Sequence, residues 1–268
     1  MHPRRKQLAT AASIAVLVLG VAACGADAPG TERFSGSGAA GDASAGMQQA
    51  AFFRTVADAQ ADARTSHVSM KIEANGQSIT AEGDVSLGKT AADTSMAMTA
   101  DLGMLGLGST SMVLADRVLF VNPGAMSDGK YIRIALDDTS NPIARRLAAI
   151  TDQIDPSQQL KQLEDSVRSM RPSGAPVTID GVQAQPYELE LDTGTIPGLA
   201  EKAPGAGLPK SITYTVYIGS DDLLRRVTAT VAGTSITADF SRWGSAVDIQ
   251  PPPDDQVTAD PLAGLGRS

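Results

Sequence analysis

The chain is poor in cysteine, histidine and aromatic residues, and each shortage closes off some chemistry. A single cysteine, Cys24, in 268 residues rules out an internal disulfide, so stability has to come from burying a core. Of the two histidines, His2 lies in the basic N-terminal stretch, which leaves His67 as the only imidazole for a Ser-His-Asp arrangement and too few ligands for a His/Cys metal cluster. Aromatic residues make up 4%, so large fillers for a wide sheet are scarce. Basic residues are outnumbered 22 to 30, a formal charge of −8, which argues against nucleic acid as a partner. The carboxylate pairs Asp137-Asp138, Asp221-Asp222 and Asp254-Asp255 fall in turns or near the C-terminal end. Neighbours on an extended chain point to opposite faces, so this spacing does not make an acid/base dyad. The glycine-rich stretches lack the Lys-Ser/Thr ending of a phosphate loop. The expectation is a protein that is not an enzyme, with no cofactor and no metal.

The longest apolar run, Leu8 to Ala23, covers about 16 residues and is broken by Thr10, Ser13 and Gly20, short of the roughly 20 that a spanning helix needs. It follows Arg4, Arg5 and Lys6 and closes with Val21-Ala22-Ala23-Cys24. A basic start, a short apolar core and small residues before the cut describe a secretory signal. An aliphatic residue, two small residues and a cysteine form a lipobox. The expectation is therefore a signal peptide over 1–23, removed to leave a diacylglycerol-modified Cys24 as the new N-terminus. The mature protein would then be a lipid-anchored lipoprotein on the extracytoplasmic side of the cell membrane. Three of the 22 basic residues leave with 1–23, so 19 face 30 acidic ones, a charge of −11. An acidic chain has no polybasic hold on anionic lipid, and the acyl anchor has to supply the attachment.

Residues 24–45 carry the lipidated Cys24 and a Gly/Ala/Ser/Asp-rich segment that reads as a flexible tether. A folded domain is expected over 46–256 and a loose tail over 257–268. The domain opens with a helix over about 47–66, with Phe52, Val56, Ala59 and Ala63 on one face. Alternating strands follow, with Asn75-Gly76 as a hairpin signal because both residues tolerate positive φ. Two helices are expected from Asn141-Pro142 and Asp155-Pro156, each an N-cap followed by proline. The second runs through Leu160, Leu163, Val167 and Met170 to Pro172. Strands resume from Val177, with a last short one ending at Val247 and Ile249. Consecutive hairpins imply an antiparallel sheet with one apolar face, and the three helices are the available cover. The fold class is α+β: a strongly curved antiparallel half-barrel whose helices cover the concave apolar face.

That face has two readings. One is an ordinary sheet-on-helix core. The other is an apolar cavity able to sheathe fatty acyl chains, favoured by small or flexible inward residues and by the adaptability of methionine. Its lining or mouth would comprise Val68, Met70, Ile72, Ile79, Ala81, Met96, Met98, Ile132 and Ile134 from the strands. The glycine-broken loop adds Met104, Leu105 and Leu107, and the insertion adds Leu147 and Ile150.

The later segment runs Asp180-Gly181-Val182, Tyr187-Glu188-Leu189, Leu208-Pro209-Lys210 and Tyr214-Thr215-Val216-Tyr217-Ile218. Asp222-Leu223-Leu224-Arg225-Arg226, Phe240-Ser241-Arg242-Trp243-Gly244, Val247-Asp248-Ile249 and Pro251-Pro252 complete it. With the lipobox, tether and helical insertion, this order resembles the LppX/LprG-type actinobacterial lipoproteins over roughly residues 46–258. The resemblance implies a LolA/LolB-like half-barrel that binds acylated lipids or lipoglycans in a hydrophobic cavity and helps carry them through the cell envelope. It also implies an envelope transporter as a partner. The alternative is an envelope sensor or protein-interaction module with the same fold and no lipid cargo.

Overall fold

The computed structural model describes residues 42–88, 93–103, 108–140, 144, 166–194 and 209–258. A helix, α1 (Asp42–Ala63), leads almost directly into the first strand. The N-terminal strands are β1 (Thr65–Ala74), β2 (Gln77–Ser86), β3 (Ser95–Asp101), β4 (Ser109–Ala115), β5 (Val118–Asn122) and β6 (Tyr131–Ala135). The later strands are β7 (Val167–Pro172), β8 (Val177–Ile179), β9 (Val182–Asp192), β10 (Ser211–Gly219), β11 (Leu224–Val231), β12 (Thr234–Ser241) and β13 (Val257–Thr258).

All thirteen strands form one open, curved sheet in the order β13-β6-β5-β4-β3-β2-β1-β12-β11-β10-β9-β7, with β8 paired to β9. Two meanders, β1 to β6 and β7 to β12, are zipped together where β1 pairs with β12. Every ladder is antiparallel except the short one between β13 and β6. The turns form where the sequence supplies residues that accept positive φ. Asn75 and Gly76 stand at φ 54 and 74, and Asp116 and Arg117 at 50 and 60. At Gly83 the neighbouring backbone comes so close that an added Cβ would lie 2.0 Å from the Ala97 carbonyl oxygen. Only glycine fits that seam between β2 and β3.

Several expectations need correction. Helix α1 starts at Asp42, inside the segment read as tether, and ends at Ala63 because β1 begins at Thr65. Its buried stripe is Phe53, Val56, Ala57 and Gln60, rotated from the expected Phe52–Val56–Ala59–Ala63 face. Residues 167–172 form a strand and not the end of a helix. A bulge between Val167 and Ser169 explains the misreading: it puts Val167 opposite Leu191 and Met170 opposite Leu189 on one face, at a spacing of three that mimics a helix. No strand forms at Val247 and Ile249; both are half-buried in irregular backbone. Val257 and Thr258, expected in the loose tail, pair with Tyr131 and Ile132.

The connection to β13 starts beside β1, where Gly244 N–H donates to the Thr65 carbonyl and Thr65 Oγ1 to the Ser245 carbonyl. It ends as β13, the strand beyond β6 and six strand spacings from β1, about 29 Å. Of the three helices expected over the concave face, α1 is the one among the described residues. The two proposed around 141–166 lie outside them, as do the signal segment and Cys24. No helix among the described residues is long and apolar enough to cross a membrane.

Candidate functional site

Register decides which side chains share a face. Val68 pairs with Phe240 on one side and Gly83 on the other, and Gly83 pairs with Met98, which pairs with Met112, which pairs with Val121, which pairs with Ile132. One continuous inner face therefore runs from β7 to β6. The expected residues Val68, Met70, Ile72, Ile79, Ala81, Met96, Met98, Ile132 and Ile134 all lie on it. Met104, Leu105, Leu107, Leu147 and Ile150 lie outside the described residues.

The face divides in two by burial. Over β1, β12, β11, β10, β9 and β7 it is packed solid. Phe240 is 0% exposed, Ile236 and Ala238 are 1%, and Phe53 and Val56 of α1 belong to the same cluster. Aromatic rings close the two ends: Phe52 lies 4.8 Å from Tyr187, and Phe240 stacks on Trp243 at 6.2 Å. Trp243 Nε1 donates to the Leu224 carbonyl, which fixes the indole at the strand end. Burial pushes the Tyr214 phenol up to about 12. Val68, Met70, Ile72 and Ile79 belong to this filled half or pack against it.

Across β3 to β6 the same face is sheltered far less. Met98 and Ala100 are buried, but Met96, Met112, Leu114, Leu119, Val121, Ile132 and Ile134 are only half-buried. Among the described residues no aromatic side chain stands on the inner side here; Phe120 and Tyr131 occupy the opposite face by register. The surface is aliphatic and methionine-rich, and it can wrap a flexible apolar partner without specific polar contacts.

The outer face holds two features that sequence reading missed. Apolar residues also collect there on β4 to β6: Val113, Ala115, Val118, Phe120, Tyr131 and Ala135, with Phe120 7% exposed. The expectation of one apolar face throughout therefore fails on this part of the sheet. The near-continuous apolar runs Met112–Ala115 and Val118–Val121 were its signal. Elsewhere the outer face carries cross-strand ion pairs: Arg171 with Glu188, Arg226 with Asp239, and Arg168 with Asp192. The Arg168 hydrogen bond and the Gly194 N–H hold the Asp192 carboxyl below its ordinary range. His67 sits 2.7 Å from Asp84, which also accepts from Arg242 at 2.9 Å. These three are cross-strand neighbours on the solvent side of the sheet, away from the apolar inner face. Among the described residues no three His, Cys, Asp or Glu gather as a metal site.

No protein-family model and no curated protein sequence matches the chain. Among solved structures it is similar to the Mycobacterium tuberculosis lipoprotein LppX, with 17% identity over 76% of this chain and 99% of that one, at a TM-score of 0.49. LprF from Mycobacterium bovis matches with 15% identity over 77% and 97%, also at 0.49. Pseudomonas aeruginosa MucB, in its complex with MucA, matches with 15% identity over 80% and 61%, at 0.39.

Proposed function

We propose that this chain is a non-catalytic, membrane-anchored carrier. It shelters the acyl chains of a lipid or lipoglycan against the β3–β6 end of its inner face and helps them through the cell envelope. One observation carries the reading: a single apolar face is packed solid over β1 and β12 to β7 but only half-buried over β3 to β6. Leaving aliphatic and methionine side chains half-covered forgoes burial worth about 25 cal/mol per Å², which a bound acyl chain would recover. The lipobox at Cys24 supports residence on the membrane, where such cargo is found. On the outer face His67, Asp84 and Arg242 pair with one another, as do Arg171 with Glu188 and Arg226 with Asp239.

Native mass spectrometry of the full chain, extracted in mild detergent, tests the proposal. The expected result is a population carrying one or more acyl lipids that survive gentle activation. Lipid-free protein after such extraction, with Met96, Met112 and Leu119 packed against the protein's own side chains, would overturn it. The other reading, a sensor or protein-interaction module, draws on the apolar outer patch around Phe120. It predicts a crosslinked protein partner and no transfer of lipid between vesicles.

A further inference from the structure

Gln60 is the most deeply buried long polar side chain among the described residues, 1% exposed. Neither its carboxamide oxygen nor its nitrogen has a hydrogen-bond partner. It shares the buried stripe of α1 with Phe53, Val56 and Ala57, so it points at the sheet's inner face. Its place is fixed by the backbone. Arg64 N–H donates to the Gln60 carbonyl at 2.9 Å, and the Arg64 carbonyl accepts from Leu87 N–H at 2.6 Å. The end of α1 is thus tied to the end of β2, beside the β1–β2 ladder at which the filled half gives way to the half-buried one.

A carboxamide offers two donors and an acceptor. Sealing it from water with none of them used costs folding stability that leucine or methionine of similar size would not. Buried polar groups are overwhelmingly partnered, so this one calls for a partner from outside the chain. Its chemistry says which kind. The group is uncharged and both gives and takes hydrogen bonds, so it suits a neutral hydroxyl or ester carbonyl. Among the described residues the buried guanidinium on this face, Arg225, pairs with Asp221 through Nη2, while its Nε has no partner.

We infer that Gln60 is the polar anchor of the bound amphiphile. Its carboxamide takes the neutral hydroxyl or ester group at the root of the acyl chains, and the chains extend along Met96, Met98 and Met112. The inference rests on the carrier reading and names the ligand class: a neutral acyl-glycerol-type or hydroxylated lipid, with any charged head left in solvent. Thr110 Oγ1, the other unpartnered buried oxygen on this face, is a single hydroxyl on β4 and serves as the control.

The test uses the full chain in detergent micelles and two probes, pyrene-labelled dodecanol and the same chain ending in methyl. Partition into protein-free micelles is subtracted. The native chain is expected to prefer the alcohol by about tenfold, the worth of one hydrogen bond to a buried partner. Gln60→Leu is expected to bind the alkane as well as the native chain, lose the preference, and unfold at a higher temperature when empty. Gln60→Met provides a second variant of different shape, and Trp243 fluorescence checks that both fold. A preference that persists in both variants overturns the inference. So does a preference lost in Thr110→Val instead. A native chain with no preference, whose Gln60→Leu form is merely more stable, shows an amide satisfied by water alone and overturns it too. If the native chain binds neither probe, the carrier reading itself falls, which separates the two failures.

Discussion

The two halves of the inner face follow the same rule of alternation and reach different ends. On β12, Thr234, Ile236, Ala238 and Phe240 are all buried, while on β5 and β6 the inward Leu119, Val121, Ile132 and Ile134 are half-buried. The difference lies in what fills the space above the strands. Phe52, Phe53, Tyr187, Tyr214, Phe240 and Trp243 all serve the filled half, where large rigid rings interlock with α1. The other half receives Met96, Met98 and Met112, side chains that adapt to a partner and do not define one packing. A few aromatic residues, concentrated on one side, make a rigid wall and leave the opposite side free to adapt. Gly83 stands at the seam, where β3 approaches too closely for any side chain.

Truncation gives the largest expected break in this comparison. Phe240→Ala should cost about 3–5 kcal/mol, measured by urea unfolding, whereas Leu119→Ala should cost under about 1.5 kcal/mol because its site is half-open. Equal losses would mean that the two halves are packed alike. Next comes alkaline pH. The buried Tyr214 phenol, pushed up to about 12, keeps its proton where the unfolded chain has already lost its own near 10. Its contribution is therefore complete below pH 10 and lost as pH rises towards 12, about 2–3 kcal/mol in all. Denaturant midpoints across that range should show the decline, and Tyr214→Phe should flatten it. Gly83→Ala tests the seam. A methyl 2.0 Å from a backbone oxygen forces β2 and β3 apart and should lower stability by about 1–3 kcal/mol in thermal unfolding. Replacing Met96 and Met112 together by leucine should change stability by less than about 1.5 kcal/mol yet reduce the range of acyl chains retained in native mass spectrometry. The smallest effect belongs to the outer face: Arg171→Ala, at an exposed pair with Glu188, should shift the unfolding midpoint by less than about 0.5 kcal/mol.

Much of the sheet was legible because period-two alternation and turn residues are local. Val68-Met70-Ile72 and the Asn75-Gly76 hairpin stand where the sequence puts them. Misreadings arose where a local pattern had two structural solutions. Val167 and Met170 have helical spacing, yet a bulge lets a strand present both on one face. One apolar face was expected throughout, and only the pairing of Phe120 with Val113 and Arg133 shows an apolar cluster on the other side. Gln60 was invisible as a buried group, since glutamine on a helix reads as solvent-facing until the helix is docked.

Alone, the sequence determined the lipobox pattern and its cysteine, the acidic balance, the hairpin turns and the scarcity of histidine and cysteine, because these depend on residue type and near-neighbour spacing. Tertiary structure decided how β1 joins the two meanders, which half of the inner face α1 and the aromatic rings fill, and that a carboxamide is sealed beneath the helix. Those outcomes depend on which distant segments meet, since burial belongs to a residue's surroundings and not to the residue itself.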